Sequence, residues 1–341
     1  MNQSMRSEIR DVVAGLREKA VSDLAALVRL DSTLGNEIPA QDWIRGRFSD
    51  LGLQVEDVSI DLDLLRHRPG FSPAVIENTD GRINVVGVHH PSGSATGRSL
   101  ILNGHMDVVP TGPQDLWSRS PFDPHVEGDW IYGRGSGDMK AGIVAYCIAF
   151  QALQQLGLQP AGQVILQSVI EEECTGNGAL ACLEAGYHAD AAIIPEPMEQ
   201  CIMYAQLGVM WLQVEVTGKP AHVLDTSAGI NAIESVYAIF DGLRSLEKRW
   251  NELANRHPEY VGHTHPVNFN LGKISGGEWG STVPSRCVAD IRVGFYPGME
   301  LAEVRQELEA CISAVAESHP SCSSAKVQIH YRGFQAEGCV M

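Results

Sequence analysis

Basic residues are scarce in this chain: 25 Lys and Arg stand against 42 Asp and Glu, a formal charge of -17 over 341 residues. That balance argues against a nucleic-acid partner, because gripping a phosphate backbone needs a basic face. No apolar run reaches the length of a membrane span. Met1 to Arg10 is polar and charged and lacks the apolar core of a signal peptide. A cytoplasmic protein without a membrane partner is therefore expected. The eight cysteines, at 147, 174, 182, 201, 287, 311, 322 and 339, form no Cys-x-x-Cys pair, so reduced thiols are expected. Low-complexity linkers and internal repeats are also missing, and the length suits two domains better than one core.

What is present is an alternation of apolar strands and helical stretches. Ile9, Val12, Val13, Leu16, Ala20, Leu24, Leu27 and Leu30 recur at helical spacing and predict one amphipathic helix over 4–30. A helix over 39–51 ended by Gly52 follows, then strands over 53–60, 84–88 and 99–103. A helix over 141–157, a buried-type strand over 163–170, a helix over 178–185 and a buried-type strand over 189–194 complete this part. Such an order predicts an α/β layer fold with a mixed, mainly parallel sheet. After about Ala205 the pattern changes. A strand over 209–216, a helix over 230–255, strands over 267–274 and 287–295, a helix over 301–317 and a strand over 325–331 spell β-α-β-β-α-β, the ferredoxin-like arrangement. Residues 1–205 are expected to form one domain and 206–332 a second.

The residues able to do chemistry fall at the ends of these predicted strands. His105 and Asp107 lie in Asn103-Gly104-His105-Met106-Asp107. A neutral imidazole binds a metal through one nitrogen and wants a carboxylate on the other to fix its tautomer. On its own, His-x-Asp also fits a loop histidine beside a helix-capping aspartate. Asp138 follows Gly133, Gly135 and Gly137. Its carboxylate could bridge two cations, and it would serve equally as a helix N-cap. The Gly-rich run lacks the Lys-Ser/Thr of a phosphate-binding loop. Glu171-Glu172-Glu173 sets three like charges side by side, which costs energy unless solvent or cations compensate. In a metal site one carboxylate would coordinate, and a neighbour would take a proton from the attacking water. Glu196 is held between Pro195 and Pro197.

At the carboxyl ends of strands in an open α/β sheet, such groups can converge on one crevice. Imidazole with several carboxylates is the donor mixture of a two-metal hydrolytic site, zinc being the leading candidate. Cys174 has no histidine as sequence neighbour and is expected to pack rather than react. His222, in Gly218-Lys219-Pro220-Ala221-His222, is either structural or a donor to a developing oxyanion. His89, His90, His263 and His265 are expected in surface loops and, lacking nearby carboxylates of the right context, are not expected to be metal ligands.

Together these motifs resemble a known family. They are Gly104-His105-Met106-Asp107-Val108-Val109-Pro110, Tyr132-Gly133-Arg134-Gly135 with Asp138-Met139-Lys140, the glutamate triplet with Gly176 and Gly178, Pro195-Glu196-Pro197, and Gly218 to His222. They look like the di-zinc amidohydrolases and exopeptidases, which include acetylornithine deacetylase, succinyl-diaminopimelate desuccinylase, aminoacylase and glutamate carboxypeptidase. The resemblance covers nearly the whole chain in the same order. It implies a zinc-peptidase-like catalytic domain interrupted by a ferredoxin-like lid, with 333–341 the incomplete start of a return to the catalytic domain.

The resemblance also implies roles. His105 and Glu196 would hold one zinc, Asp138 would bridge both, and Glu173 would hold the second. Glu172 would be the general base, leaving Glu171 in a leading place that binds nothing. Asp107 would orient His105, and His222 would stabilise the oxyanion across a dimer interface formed by the lids. Asn268 and Arg292 would contact the substrate, Arg292 suiting a carboxylate. A cis peptide between Asp138 and Met139 is implied too. The implied activity is hydrolysis of a linear amide in an N-acyl amino acid, of acetylornithine deacetylase or succinyl-diaminopimelate desuccinylase type. The alternatives are a metallo-exopeptidase or dipeptidase, and a non-catalytic dimeric binding module of the same fold. The implied cofactor is two Zn2+ per subunit, with Co2+ or Mn2+ as substitutes, and the implied partner is a second copy of the chain. One feature departs from the family, whose last zinc ligand, a histidine, lies in a C-terminal segment beyond the lid that also completes the catalytic sheet. The expectation is of a chain that stops at Met341 without that segment, with His319 and His330 inside the lid as poor substitutes.

Overall fold

A computed structural model of the chain describes residues 3–93, 96–198 and 201–341. The chain divides into two compact units, 1–71 with 76–202 and 72–75 with 203–341. In the first, helices α1 (Gln3–Gly15), α2 (Arg17–Val28) and α3 (Ile38–Asp50) precede strand β1 (Gln54–Ser59) and a short α4 (Leu62–Leu65). Strands β2 (Ile83–His89) and β3 (Leu100–His105), a hairpin of β4 (His125–Glu127) and β5 (Trp130–Tyr132), and helix α5 (Lys140–Gln155) follow. Strand β6 (Val164–Val169), helix α6 (Asn177–Glu184) and strand β7 (Ala191–Ile193) complete the unit. The single helix expected over 4–30 is two helices that break at Leu16, next to Gly15, a poor helix former. Only the second of them buries side chains, Leu24, Leu27 and Val28 among them. Gly52 ends α3 in the left-handed region at φ +68°.

The main sheet runs β1-β2-β6-β3-β7. It is mixed: β6, β3 and β7 are parallel, whereas β1 with β2 and β2 with β6 are antiparallel. Parallel pairing is thus confined to three strands. This arrangement sets the geometry of the site. The carboxyl ends of β3, β6 and β7 share one edge of the sheet, and antiparallel β2 brings its beginning, not its end, to that same edge. β6 is buried at every position and α5 packs Ile143, Val144 and Ile148 against the core. Each such buried aliphatic side chain contributes about 1.5–3 kcal/mol. β7, expected to be buried, is instead an exposed edge strand, with Ile193 and Ile194 more than half exposed.

The second unit has strands β8 (Ala205–Gln206) and β9 (Gly208–Thr217), helix α7 (Ala232–Trp250) and strands β10 (Phe269–Gly276) and β11 (Arg286–Phe295). Helix α8 (Leu301–Ser318) and strands β12 (Lys326–Ala336) and β13 (Cys339–Val340) follow. Its sheet, β10-β11-β9-β12, is antiparallel throughout and has the ferredoxin-like order. β9 alternates strictly, and Met210, Leu212, Val214 and Val216 join Val236, Ile239 and Leu243 of α7 in one core. Asn231 starts α7 by accepting hydrogen bonds from the amides of Ile233 and Glu234, which shortens the helix expected over 230–255.

Residues 333–341 do not return to the first unit. β12 runs on to Ala336 through a bulge in which Gly333 adopts φ +74°, and Cys339–Val340 pairs with Ala205–Gln206. The bulge frees two amides from the ladder. Both are taken up by the strap 72–75: Gly333 N donates to the Pro73 carbonyl at 2.8 Å and Gln335 N to Ser72 Oγ at 3.0 Å. Among the described residues no helix is long and apolar enough to cross a membrane.

Candidate active site

Three strand ends deliver the expected donors to one place. β3 ends on His105, buried at 1 % exposure. Its Nε2 lies 3.0 Å from Asp138 Oδ1, 3.7 Å from Glu196 Oε1 and 3.8 Å from Glu172 Oε2. Two groups of donor atoms close within 4.8 Å of one another: His105 with Asp138 and Glu173, and His105 with Glu172 and Glu196. His105 belongs to both, and it is the one histidine in such a group among the described residues. The grouping crosses the division implied by the resemblance, in which His105 and Glu173 serve different metals and Glu172 serves none.

Asp107 is placed to hold both halves of this cluster. Its backbone carbonyl accepts from His105 Nδ1 at 2.8 Å, which leaves Nε2 facing the carboxylates. Its carboxylate lies 3.6 Å from Nδ1 and accepts the amides of Glu172 at 3.3 Å and Glu173 at 3.1 Å. The imidazole is thus oriented by main chain, while the Asp107 side chain grips the acidic turn.

The glutamate triplet splits. Glu171 sits at φ +66°, a conformation costing a non-glycine residue about 1–2 kcal/mol. Its buried side chain points away from the donors, bonded to Arg82 and to Thr175 Oγ1 at 2.7 Å. Asn84 of β2 fixes the same turn, accepting from Ile170 N and donating to the Gly178 carbonyl, both at 3.0 Å. Cys174 is buried behind the turn; burial and the nearby Glu171 and Asp107 push its thiol up, so it is inert rather than nucleophilic.

Asp138 and Glu196 are set by close backbone packing. The Asp138–Met139 peptide is cis. Gly135 turns at φ +77°, where a Cβ would stand 2.6 Å from Val108 Cγ1. Lys140, which follows, is fully buried and donates to the Leu27 and Leu30 carbonyls at 2.9 Å, tying α5 to the carboxyl end of α2. Burial lowers its ammonium to about 8. Lys140 is the first residue of the largely apolar α5. Gly142, on the first turn of α5, lies so close to the Pro195 carbonyl that a Cβ would come within 2.5 Å of it. Gly142→Ala is therefore expected to push Pro195 and Glu196 outward. The cost is about 1–3 kcal/mol of stability and roughly tenfold or more in metal affinity. Chelator-competition titration checks this, and unchanged affinity would contradict it.

Electrostatically the cluster is crowded with carboxylates around one imidazole. Burial lowers the proton affinity of His105, but bonds to Asp107 and Asp138 overcome this and push the imidazole up to about 11. Burial, reinforced by neighbouring carboxylates, raises Glu173 and Glu196 to about 7 each, and raises Glu172 as well. Asp138 is held low by its bond to His105. Imidazole and crowded carboxylates that retain protons fit a divalent cation, which would take the protons' place. Metal binding is thus expected to release protons, more near pH 6 than near pH 8, because Glu173 and Glu196 hold theirs only below about 7. Affinity for a divalent cation is expected to rise with pH accordingly. Calorimetry in two buffers of different ionisation enthalpy gives the count; a value constant across this window would refute the pairing.

The other expected site residues belong to the second unit. His222 is exposed, and its Nδ1 accepts from Leu224 N at 3.2 Å, so in the neutral ring Nε2 carries the proton. Arg292 lies opposite Asn270 in the β10–β11 register and has no carboxylate partner among the described residues. Asn268, just before β10, makes long bonds to the carbonyls of His265 and Pro266 at 3.4 and 3.3 Å. His265 pairs through Nε2 with Oε1 of the buried Glu247 at 3.0 Å. His89 is not a loop residue; it closes β2.

The chain belongs to peptidase family M20/M25/M40, whose model matches residues 101–326, in agreement with the resemblance drawn from the motifs. It is 28% identical over 326 residues to N-formyl-4-amino-5-aminomethyl-2-methylpyrimidine deformylase of Bacillus subtilis, covering 90% of this chain and 71% of that protein. It is 32% identical over 220 residues to a probable succinyl-diaminopimelate desuccinylase of Staphylococcus aureus, covering 64% of this chain and 49% of that protein. The chain thus spans about half to seven-tenths of the length of these relatives. Among solved structures, the Saccharomyces cerevisiae dipeptidase Dug1p shares the fold with a TM-score of 0.75 at 12% identity, over 98% of this chain and 81% of that one.

Proposed function

We propose that the chain hydrolyses a linear amide, removing a small acyl group from an N-acyl amino acid, with two divalent metal ions held by His105, Asp138, Glu173 and Glu196. The observation that carries this reading is the convergence of these four residues and Glu172 around the His105 imidazole. When bound, such ions polarise a carbonyl and acidify a water. Asp138 would be shared between them, His105 and Glu196 would hold one, and Glu173 the other; zinc suits the mixture of nitrogen and oxygen donors. Glu172 accepts a proton from the attacking water and returns it to the leaving amine. Its raised proton affinity suits a base that must also act as an acid. His222, with Nε2–H free, donates to the oxyanion. Arg292 and Asn268 bind the substrate, Arg292 through a carboxylate.

In this reading, 1–205 is the catalytic domain and 206–332 a lid through which two copies associate. Both relatives named above are called after removal of an acyl group from nitrogen, a formyl in one and a succinyl in the other. The test is hydrolysis of N-acetylornithine, N-succinyl-diaminopimelate, simple N-acyl amino acids and an N-formyl aminopyrimidine, with added Zn2+ or Co2+ and a chelator control. Chelator-sensitive release of the acyl group from the amino acids supports the proposal. Cleavage of the aminopyrimidine alone would replace its substrate class. A second reading, a non-catalytic binding module, is favoured by the presence of a single histidine in the donor groups. Metal binding with no turnover on any substrate would support it.

A further inference from the structure

We propose that Arg82 is a positioning residue for the Glu172–Glu173 pair, acting through Glu171. This inference rests on the reading of a two-metal hydrolytic site. Arg82 immediately precedes β2, at the sheet edge where β6 ends. It is 4 % exposed and lies between two carboxylates that are each 1 % exposed. Nη2 donates to Glu37 Oε1 at 2.6 Å, Nε reaches Glu37 Oε2 at 3.4 Å, and Nη1 donates to Glu171 Oε1. The planar fork serves two acids on different sides at once, which a lysine's single ammonium cannot reproduce.

Glu171 is where the chain leaves β6 and turns left-handed, so its side chain fixes the direction of the two residues after it. The turn is pinned at three points. Arg82 and Thr175 hold the Glu171 carboxylate, Asn84 holds Ile170 N, and the Asp107 carboxylate holds the amides of Glu172 and Glu173. Only the first of these is a charge pair, and it alone reaches back to α3, through Glu37 at its start. The bonds of Arg82 run to Glu37 and Glu171 rather than to the donor residues, so Arg82 acts through the backbone of 171–173.

The test uses Arg82→Lys, with Arg47→Lys as the comparison. Arg47 also makes a buried ion pair, with Asp23 at 3.2 Å, but that pair is far in sequence from the acidic turn. Both variants are expected to fold by circular dichroism and to melt somewhat below wild type. Arg82→Lys is expected to bind Co2+ roughly 10–100-fold more weakly, the range typical when a group supporting a ligand is lost. It should also change the visible Co2+ spectrum and lower kcat with KM little moved, whereas Arg47→Lys leaves all three as in wild type. Wild-type Co2+ affinity and spectrum in Arg82→Lys would overturn the inference. Equal losses in Arg47→Lys would do the same, by showing general destabilisation. Failure of Arg82→Lys to fold would assign Arg82 to the fold instead and likewise overturn it. If wild type bound no metal, the two-metal reading itself would fall and this inference with it; loss of the inference alone requires a metal-binding wild type.

Discussion

Glu172→Ala is expected to lower kcat by roughly 10²–10⁴-fold, the contribution typical of a positioned base, without loss of metal binding. Among the carboxylates of the cluster, Glu172 combines a half-exposed side chain with a proton affinity raised by burial. Its amide is held by Asp107, so truncating the side chain leaves the turn in place. Glu173→Ala, by contrast, is expected to lose one of two ions. Metal analysis of the two purified variants alongside their kinetics decides the matter. Metal loss in Glu172→Ala with retention in Glu173→Ala would mean that the two residues exchange roles.

Asp138→Asn removes turnover to below detection and leaves fewer than two ions per chain. The amide keeps the shape of the carboxylate and can still meet His105 Nε2, so the fold is expected to survive. What it loses is the negative charge and the second equivalent oxygen, and with them the bridging of two cations proposed for Asp138. Asp138 is also the acid here that ionises most readily, because His105 lies against it. Stoichiometry by elemental analysis of the dialysed variant is the measurement, and two ions per chain would remove the bridging role.

Much of this was legible in the chain itself, for identifiable reasons. His105, Glu172 and Glu196 each follow an apolar run, and parallel strands carry the ends of such runs to one edge. Strand direction was not legible. The run over 84–88 looks the same whether parallel or antiparallel, and only its antiparallel pairing with β6 brings Arg82 and Asn84 to the acidic turn. The exposure of β7 was hidden for a similar reason, since an apolar strand has the same sequence at an edge as inside. The buried partnership of Arg82 with Glu37 spans 45 residues and leaves no local signal. The split of the triplet followed from the resemblance, but its physical basis, the left-handed Glu171 bonded to Arg82, exists only in three dimensions.

The strap 72–75 has a consequence for taking the protein apart. Because these four residues belong with 203–341, the second unit is not a contiguous stretch of chain. A fragment cut out at Met203 would leave the amides of Gly333 and Gln335 without their acceptors, at about 1–3 kcal/mol for each buried donor. Excision at the sequence boundary would therefore yield a damaged module. A faithful one needs the tetrapeptide restored, either by a linker that carries it or by adding it as a separate peptide.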